Sequence, residues 1–247
     1  PVMVSPMDTV VDEKNYHLFE DNLIPVCMPR GHKDYPGTFK SISLDEFETY
    51  VEWYVGNENF GDVRILVDIA NGHIEKLHKL CQKFVINRKN RNHVLMVGNV
   101  ANPKTYRELA KIGVDYVRVG IGGGSGCLTS ANTGVHFPMA SLIHECFQYK
   151  KKGGYKTKIV ADGGFRKYDD IIKAIMLGAD YVMLGGILNK CLESCSTTKL
   201  FGISLSENLS KYIWNNHKWL RKNLKKSFRG MSTKEVQKKW GREILKT

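Results

Sequence analysis

Short runs of β-branched and aliphatic residues alternate along the chain with stretches whose apolar positions recur at helical spacing. Strands are expected at residues 1–4, 24–28, 63–69, 94–98, 116–120, 157–161 and 181–184, and helices near 12–20, 44–56, 73–88, 103–112, 137–151 and 167–178. Strand-helix alternation of this kind builds a parallel sheet rather than a sandwich. Two helix starts are marked: Ser43 with Glu46 reads as a capping box, and Pro103 suits a first helical position. Polar and glycine-rich sequence follows nearly every strand, which fits the single functional rim of a (β/α)8 TIM barrel better than the one switch point of a doubly wound sheet. Seven strands are visible where a closed barrel needs eight, and the first residues already form one. The expectation is therefore a barrel lacking its first strand, with that strand lying before Pro1 in the natural protein.

At 247 residues the chain has the size of one barrel, and its core needs no metal or disulfide staple. A single catalytic domain over residues 1–247 is expected. The repeat breaks after Cys191, and 199–229 reads as a basic, aromatic-bearing helix within a flap-like excursion at about 191–229. The competing reading is a peripheral helix that packs Trp214 and Trp219 on the barrel. No apolar run is long enough to cross a membrane, and the start PVMVSPMDTV lacks the features of a secretory signal, so a cytoplasmic protein without a membrane partner is expected.

The six cysteines, Cys27, Cys81, Cys127, Cys146, Cys191 and Cys195, are scattered over a chain too large to be a disulfide-stapled scaffold, and they read as reduced thiols. Cys191 and Cys195 have no second ligand pair at zinc spacing and read as ordinary thiols. The net charge of +12 suits any polyanion, a phosphorylated metabolite as well as a nucleic acid. Much of the excess lies at 150–158 and 211–229, neither of which has the pattern of a known nucleic-acid module, so a solvated basic face and no specific nucleic-acid partner are expected.

The most informative stretch is 119–129, VGIGGGSGCLT, which follows an expected strand and puts five glycines ahead of Cys127. Glycines let the backbone turn at positive φ and approach a ligand closely. A thiol on such a loop is a candidate nucleophile once its pKa is lowered, and the alternative is a phosphate cradle whose cysteine is incidental. In a barrel the loops after the last two strands commonly form an anion site. Here those are Asp162-Gly163-Gly164 and Gly185-Gly186, whose amides can approach phosphate oxygens while the Asp162 carboxylate can accept from a pair of hydroxyls such as a ribose carries, and Ser125 would complete the cradle.

The run from Gly122 through Ser125 and Cys127 to Thr129, followed by 132–135 NTGV, resembles the catalytic loop of the IMP dehydrogenase/GMP reductase family, a G-x-G-S-x-C-x-T pattern with T-G-V after it. Six further short matches occur in order: 5–10 SPMDTV, 68–73 DIANGH, 98–100 GNV, 162–164 DGG, 183–186 MLGG and 229–232 RGMS. The resemblance implies a purine-nucleotide oxidoreductase in which the Cys127 sulfur attacks C2 of the base and Thr129 helps activate water or ammonia. It implies substrate contacts at Ser125, Asp162, Gly163, Gly164, Gly185, Gly186, Met231 and Ser232, and cofactor contacts at Asp68 and Asn99. It also implies NADP(H) or NAD(H), a monovalent cation (K+) on the carbonyls of Gly122, Gly124 and Cys127, a GMP or IMP partner, and a homo-oligomer, a tetramer.

Residues 29–62 leave no room for the regulatory insertion common in the dehydrogenases, which favours NADPH-dependent reductive deamination of GMP to IMP. The spelling 118–120 RVG and 229–231 RGM keeps the alternative, NAD-dependent oxidation of IMP to XMP, in play. Departures around the loop keep a third, a nucleotide-binding barrel without turnover: Gly123 stands where many relatives have proline, and Gly126 and Leu128 flank the cysteine. Phe228 replaces a phosphate-binding tyrosine, and Lys234 stands at the place of a catalytic glutamate with Glu235 beside it.

Overall fold

The computed structural model describes residues 2–55, 61–88, 92–124, 129–130, 134–191, 193–196, 198–200 and 203–226. Eight parallel strands form one sheet: β1 (Val2–Val4), β2 (Cys27–Met28), β3 (Phe39–Ile42), β4 (Arg64–Asp68), β5 (Val94–Val100), β6 (Tyr116–Val119), β7 (Lys158–Asp162) and β8 (Tyr181–Leu184). Their order is β1-β8-β7-β6-β5-β4-β3-β2. A single parallel bridge between Val4 and Val26, with the Val4 amide on the Pro25 carbonyl at 2.9 Å, brings the two ends together. The barrel is thus closed but for a short seam, as a TIM barrel requires.

The expectation of a missing first strand is corrected, because the eighth strand is β3, inside 29–62. Its four residues read Phe-Lys-Ser-Ile, and the polar pair Lys40 and Ser41 hides the strand pattern in the sequence. Neighbours on both sides bury the strand, so that even Ser41 is only 3% exposed. Helices run over Tyr16–Glu20, Leu44–Val55, Glu75–Asn87, Pro103–Ile112, Met139–Gly153 and Tyr168–Met176. The capping box forms as expected: the Ser43 amide donates to Glu46 Oε2 at 2.6 Å, and the Glu46 amide to Ser43 Oγ at 3.2 Å. Pro103 opens its helix, and Asn102 caps it by accepting from the Lys104 amide at 2.9 Å.

Period-two alternation sends the side chains of each strand to two separate cores. Met3, Cys27, Phe39, Leu66, Met96, Val160 and Met183, each from a different strand, fill the barrel interior with Tyr116 and Tyr181 packed against them. Their outward neighbours join the helices in the larger core. On β6, Tyr116 and Arg118 face inward while Val117 and Val119 join that outer core, so the inner column of β6 changes from aromatic to cationic on the way to the functional rim.

The opposite rim is tied by one device used twice. Asp115 precedes β6 and accepts from the Leu95 amide of β5 at 2.8 Å and from Arg88; Asp180 precedes β8 and accepts from the Ile159 amide of β7 at 2.7 Å and from Lys150. Each carboxylate joins a strand edge to a cation in or just after a helix, which fixes the strand register at its start. Asp180→Ala is expected to cost about 2 kcal/mol, because it leaves a partly buried ammonium and a strand amide unpaired. The corresponding fall in the thermal midpoint is about 4–8 °C, read from a melt. A fall below about 1 °C would mean that water replaces the carboxylate at no cost.

Beyond β8 the chain builds a separate antiparallel sheet, β9 (Thr198–Leu200), β10 (Ile203–Leu205) and β11 (Leu224–Lys226), in the order β10-β9-β11. A helix, Glu207–Asn216, and a 3-10 turn, Lys218–Asn223, connect β10 to β11. The single basic helix expected for 199–229 is therefore a strand pair, a helix and a returning strand. Trp214 and Trp219 are 53% and 69% exposed, which corrects the reading in which they pack on the barrel. The start of the excursion is fastened to the loop after β1, where Asn15 Nδ2 donates to the Glu193 carbonyl at 2.6 Å and the Cys195 thiol to the Asp8 carbonyl at 3.0 Å.

Candidate functional site

Four adjacent strands deliver polar groups to one point of the rim. Asp68 ends β4, Asn99 lies in the last turn of β5, Arg118 rises from the inside of β6, and Asp162 ends β7. Arg118 Nη1 donates to Asp68 Oδ1 at 2.9 Å, while Nη2 lies 3.2 Å from Asp162 Oδ2 and donates to Asn99 Oδ1. Asn99 Nδ2 in turn donates to Asp162 Oδ2 at 2.8 Å and to the Gly120 carbonyl at 2.6 Å. Arg30 completes the group, its Nε 3.7 Å from Asp68 Oδ2.

The side chain of Arg118 is only 7% exposed. Burial opposes its charge, but Asp162 and Asp68 more than offset this and hold the guanidinium above its ordinary pKa. Two cations and two carboxylates leave the cluster formally neutral. Gly98 permits the arrangement, since a Cβ there would sit 2.5 Å from Arg118 Cβ. His73, from the 68–73 match, stands behind the cluster. Its Nε2 accepts from the Ala101 amide at 3.1 Å, which assigns the proton to Nδ1, 2.7 Å from Thr105 Oγ1. Burial holds its pKa below the ordinary value, so the neutral ring braces the loop after β5.

The glycine loops meet beside this cluster. Gly163 and Gly164 follow Asp162 at φ of 98° and 87°, conformations that other residues rarely adopt. A Cβ on Gly123 would lie 3.0 Å from the Gly163 carbonyl carbon, so the backbone of the cysteine-bearing loop rests directly on the loop after β7. The result is a cleft of about 320 Å³ whose walls include Asp68, Asn99, Arg118, Thr129, Asp162 and the backbone 120–124. Its size is that of a small-molecule site. Its carboxylates can accept from hydroxyl or amide donors, and its glycine backbone can approach an anion.

Of the expected site residues, Asp68, Asn99, Gly122, Gly124, Thr129, Asp162 and Gly163 line this one cleft. Gly164 lies one step away, facing a more apolar cavity of about 240 Å³ between helices Met139–Gly153 and Tyr168–Met176. Gly185 and Gly186 follow β8, where a Cβ on Gly185 would meet Met7 Sδ at 2.4 Å while Gly186 has open space. Ser125, Cys127, Met231 and Ser232 lie outside the described residues, as do Gly126, Leu128, Phe228, Lys234 and Glu235. Arg118 and Arg30 belong to the site but were not expected there. The available signal was an arginine at an inward position of an otherwise apolar strand, since burying such a charge requires partners.

Known proteins resemble this chain in sequence and in fold. The family model described as IMP dehydrogenase / GMP reductase domain matches residues 58–212. The chain is 38% identical over 157 residues to a GMP reductase of Aeromonas salmonicida (strain A449), covering 60% of this chain and 44% of that protein. It is 34% identical over 176 residues to GMP reductase 2 of Bos taurus, covering 71% and 44% respectively. The matched stretch is thus less than half the length of these curated relatives. Among solved structures, inosine 5' monophosphate dehydrogenase from Legionella pneumophila superposes with a TM-score of 0.69 at 23% identity, covering 99% of this chain and 79% of that one, a likeness of fold. The glycine-rich loop after β6, seated on the Asp162 loop at the rim of an eight-stranded barrel, and the match across 58–212 together place this chain in the IMP dehydrogenase/GMP reductase family.

Proposed function

We propose that the chain is the catalytic barrel of a purine-nucleotide oxidoreductase that reduces GMP to IMP with release of ammonia. The observation that carries the reading is the contact between Gly123 and Gly163, which sets the cysteine-bearing loop against Asp162 in a cleft already lined by Asp68, Asn99 and Thr129. The names of the curated relatives support the reductase direction. In this reading Asp162 accepts from the ribose hydroxyls, the amides of Gly163, Gly164, Gly185 and Gly186 with Ser125 hold the phosphate, and Met231 and Ser232 also contact the substrate. The Cys127 thiolate adds to C2, the amino group leaves as ammonia with a proton relayed by Thr129, and the thiolate is expelled once C2 has received hydride.

A nicotinamide cofactor, NADP(H) in preference to NAD(H), supplies that hydride when bound. The residues fit its carboxamide: Asp68, partly exposed, can accept from its amide, and Asn99 lies beside it in the cleft lining. For K+ the candidate carbonyls are those of Gly122, Gly124 and Cys127, and no step above depends on the ion. We further read 191–229 as a flap over the rim, for which the sheet β10-β9-β11 provides a frame, and the protein as a cytoplasmic homo-oligomer, a tetramer. No described helix is long and apolar enough to cross a membrane.

The test is to mix the protein with GMP and NADPH, and separately with IMP and NAD, and to follow absorbance of the reduced cofactor. Loss in the first mixture with no gain in the second is expected. Gain in the second alone would assign the dehydrogenase direction, and silence in both with tight GMP binding would assign a nucleotide-binding barrel without turnover.

A further inference from the structure

Arg118 belongs to both halves of the cleft at once. It bonds Asp68, on the side read as the cofactor's, at 2.9 Å, and lies 3.2 Å from Asp162, on the side read as the nucleotide's. Asn99 closes the circuit by accepting from the guanidinium and donating to Asp162 at 2.8 Å. The guanidinium is planar, and with 7% exposure it has little freedom, so a change in its bond to one carboxylate is felt at the other.

We propose that Arg118 is a positioning residue that couples the two sites, so that a ribose diol seated on Asp162 tightens binding beside Asp68 and Asn99. The inference rests on the purine-nucleotide reading given above. Two hydroxyl donors on Asp162 spread its negative charge and weaken its hold on Nη2. The guanidinium charge is then less neutralised, and it becomes a stronger donor to Asn99, to Asp68 and to a carbonyl oxygen brought beside them. In a water-poor cluster such polarisation passes along the chain of hydrogen bonds instead of being screened. Binding linkage makes the effect reciprocal, so the cofactor tightens nucleotide binding by the same factor.

The experiment is calorimetric titration of GMP into the full chain, alone and with saturating NADP+, a pair between which no hydride can move. NADP+ is expected to tighten GMP binding by about fivefold or more. The 2′,3′-dideoxy analogue of GMP cannot donate to Asp162, and its affinity is expected to change by less than about twofold when NADP+ is present. Arg118→Lys keeps the charge, but one ammonium cannot span both carboxylates, and it is expected to reduce the coupling for GMP to the same low value. Equal tightening of GMP and its dideoxy analogue would overturn the proposal, as would an unchanged coupling factor in Arg118→Lys. Should that variant not fold, the two nucleotides on the unaltered chain decide the matter. GMP and NADP+ that each bind and ignore one another refute the coupling alone, whereas failure of both to bind removes the functional reading and this inference with it.

Discussion

Cys127→Ala is expected to lower kcat by at least about a thousandfold while leaving the Kd for GMP within about tenfold. The asymmetry follows from the division of labour in the cleft. In the proposed reading, ground-state affinity resides in the phosphate and ribose contacts, at Asp162 and the glycine loops, none of which the substitution touches. In the same reading the sulfur contributes only when it bonds to C2, so its loss is expected to fall on the chemical step. Single-turnover kinetics and calorimetry on the same preparation check both halves. Activity above roughly 5% of the unaltered chain would exclude covalent catalysis by this thiol. Cys195→Ser is the control, because its thiol is occupied with the Asp8 carbonyl on the loop after β1 and it should be nearly silent.

The second large effect concerns the phosphate. GMP is expected to bind at least about 100-fold more tightly than guanosine, a difference of about 2.7 kcal/mol, since several charge-assisted bonds to backbone amides are lost together. Gly163 and Gly164 support this expectation: both hold positive φ, and they lie against the backbone of 123–124, where two sets of amides can converge. Calorimetry with the nucleotide and the nucleoside measures the ratio. Equal affinities would remove the phosphate-cradle assignment while leaving the barrel and its cysteine loop untouched. Duplex DNA, titrated in parallel, should bind weakly and lose affinity steeply with salt, as the overall positive charge alone would dictate.

The barrel was legible from sequence because its signal is periodic and local. Strands such as Arg64–Asp68 and Lys158–Asp162 are buried on both faces and read as continuous apolar runs, and caps such as Ser43/Glu46 follow from chemistry within one turn. What the sequence hid is non-local. Phe39–Ile42 is a strand because β2 and β4 lie on either side of it, and nothing within its four residues says so. Arg118 is a site residue because strands far apart in sequence bring Asp68 and Asp162 to it, and no single motif contains all three. The glycine loops were recognised by spacing, but the contact between Gly123 and Gly163 depends on how the two loops pack. The excursion after β8 misled for the opposite reason: its basic composition dominates the sequence, while antiparallel pairing of β9 with β10 and β11 decides the structure.

The way the ring closes also governs when it can form. Six of the strand pairings join strands consecutive in sequence, but Val2 pairs with Val182, and only the single Val4–Val26 bridge ties β1 to the strand after it. A nascent chain leaving the ribosome can therefore assemble β2 through β7 progressively, while β1 must wait with one edge unsatisfied until residue 184 has emerged. Contacts across so long a loop form late and slowly, and an unpaired edge is sticky in the meantime. By this topology the docking of β8 against β1, which also brings Gly185 against Met7, is expected late in folding of the barrel. Only the loop after β8, with Gly185 and Gly186, reaches the rim through that docking, whereas the cleft carried by β4 to β7 does not depend on it.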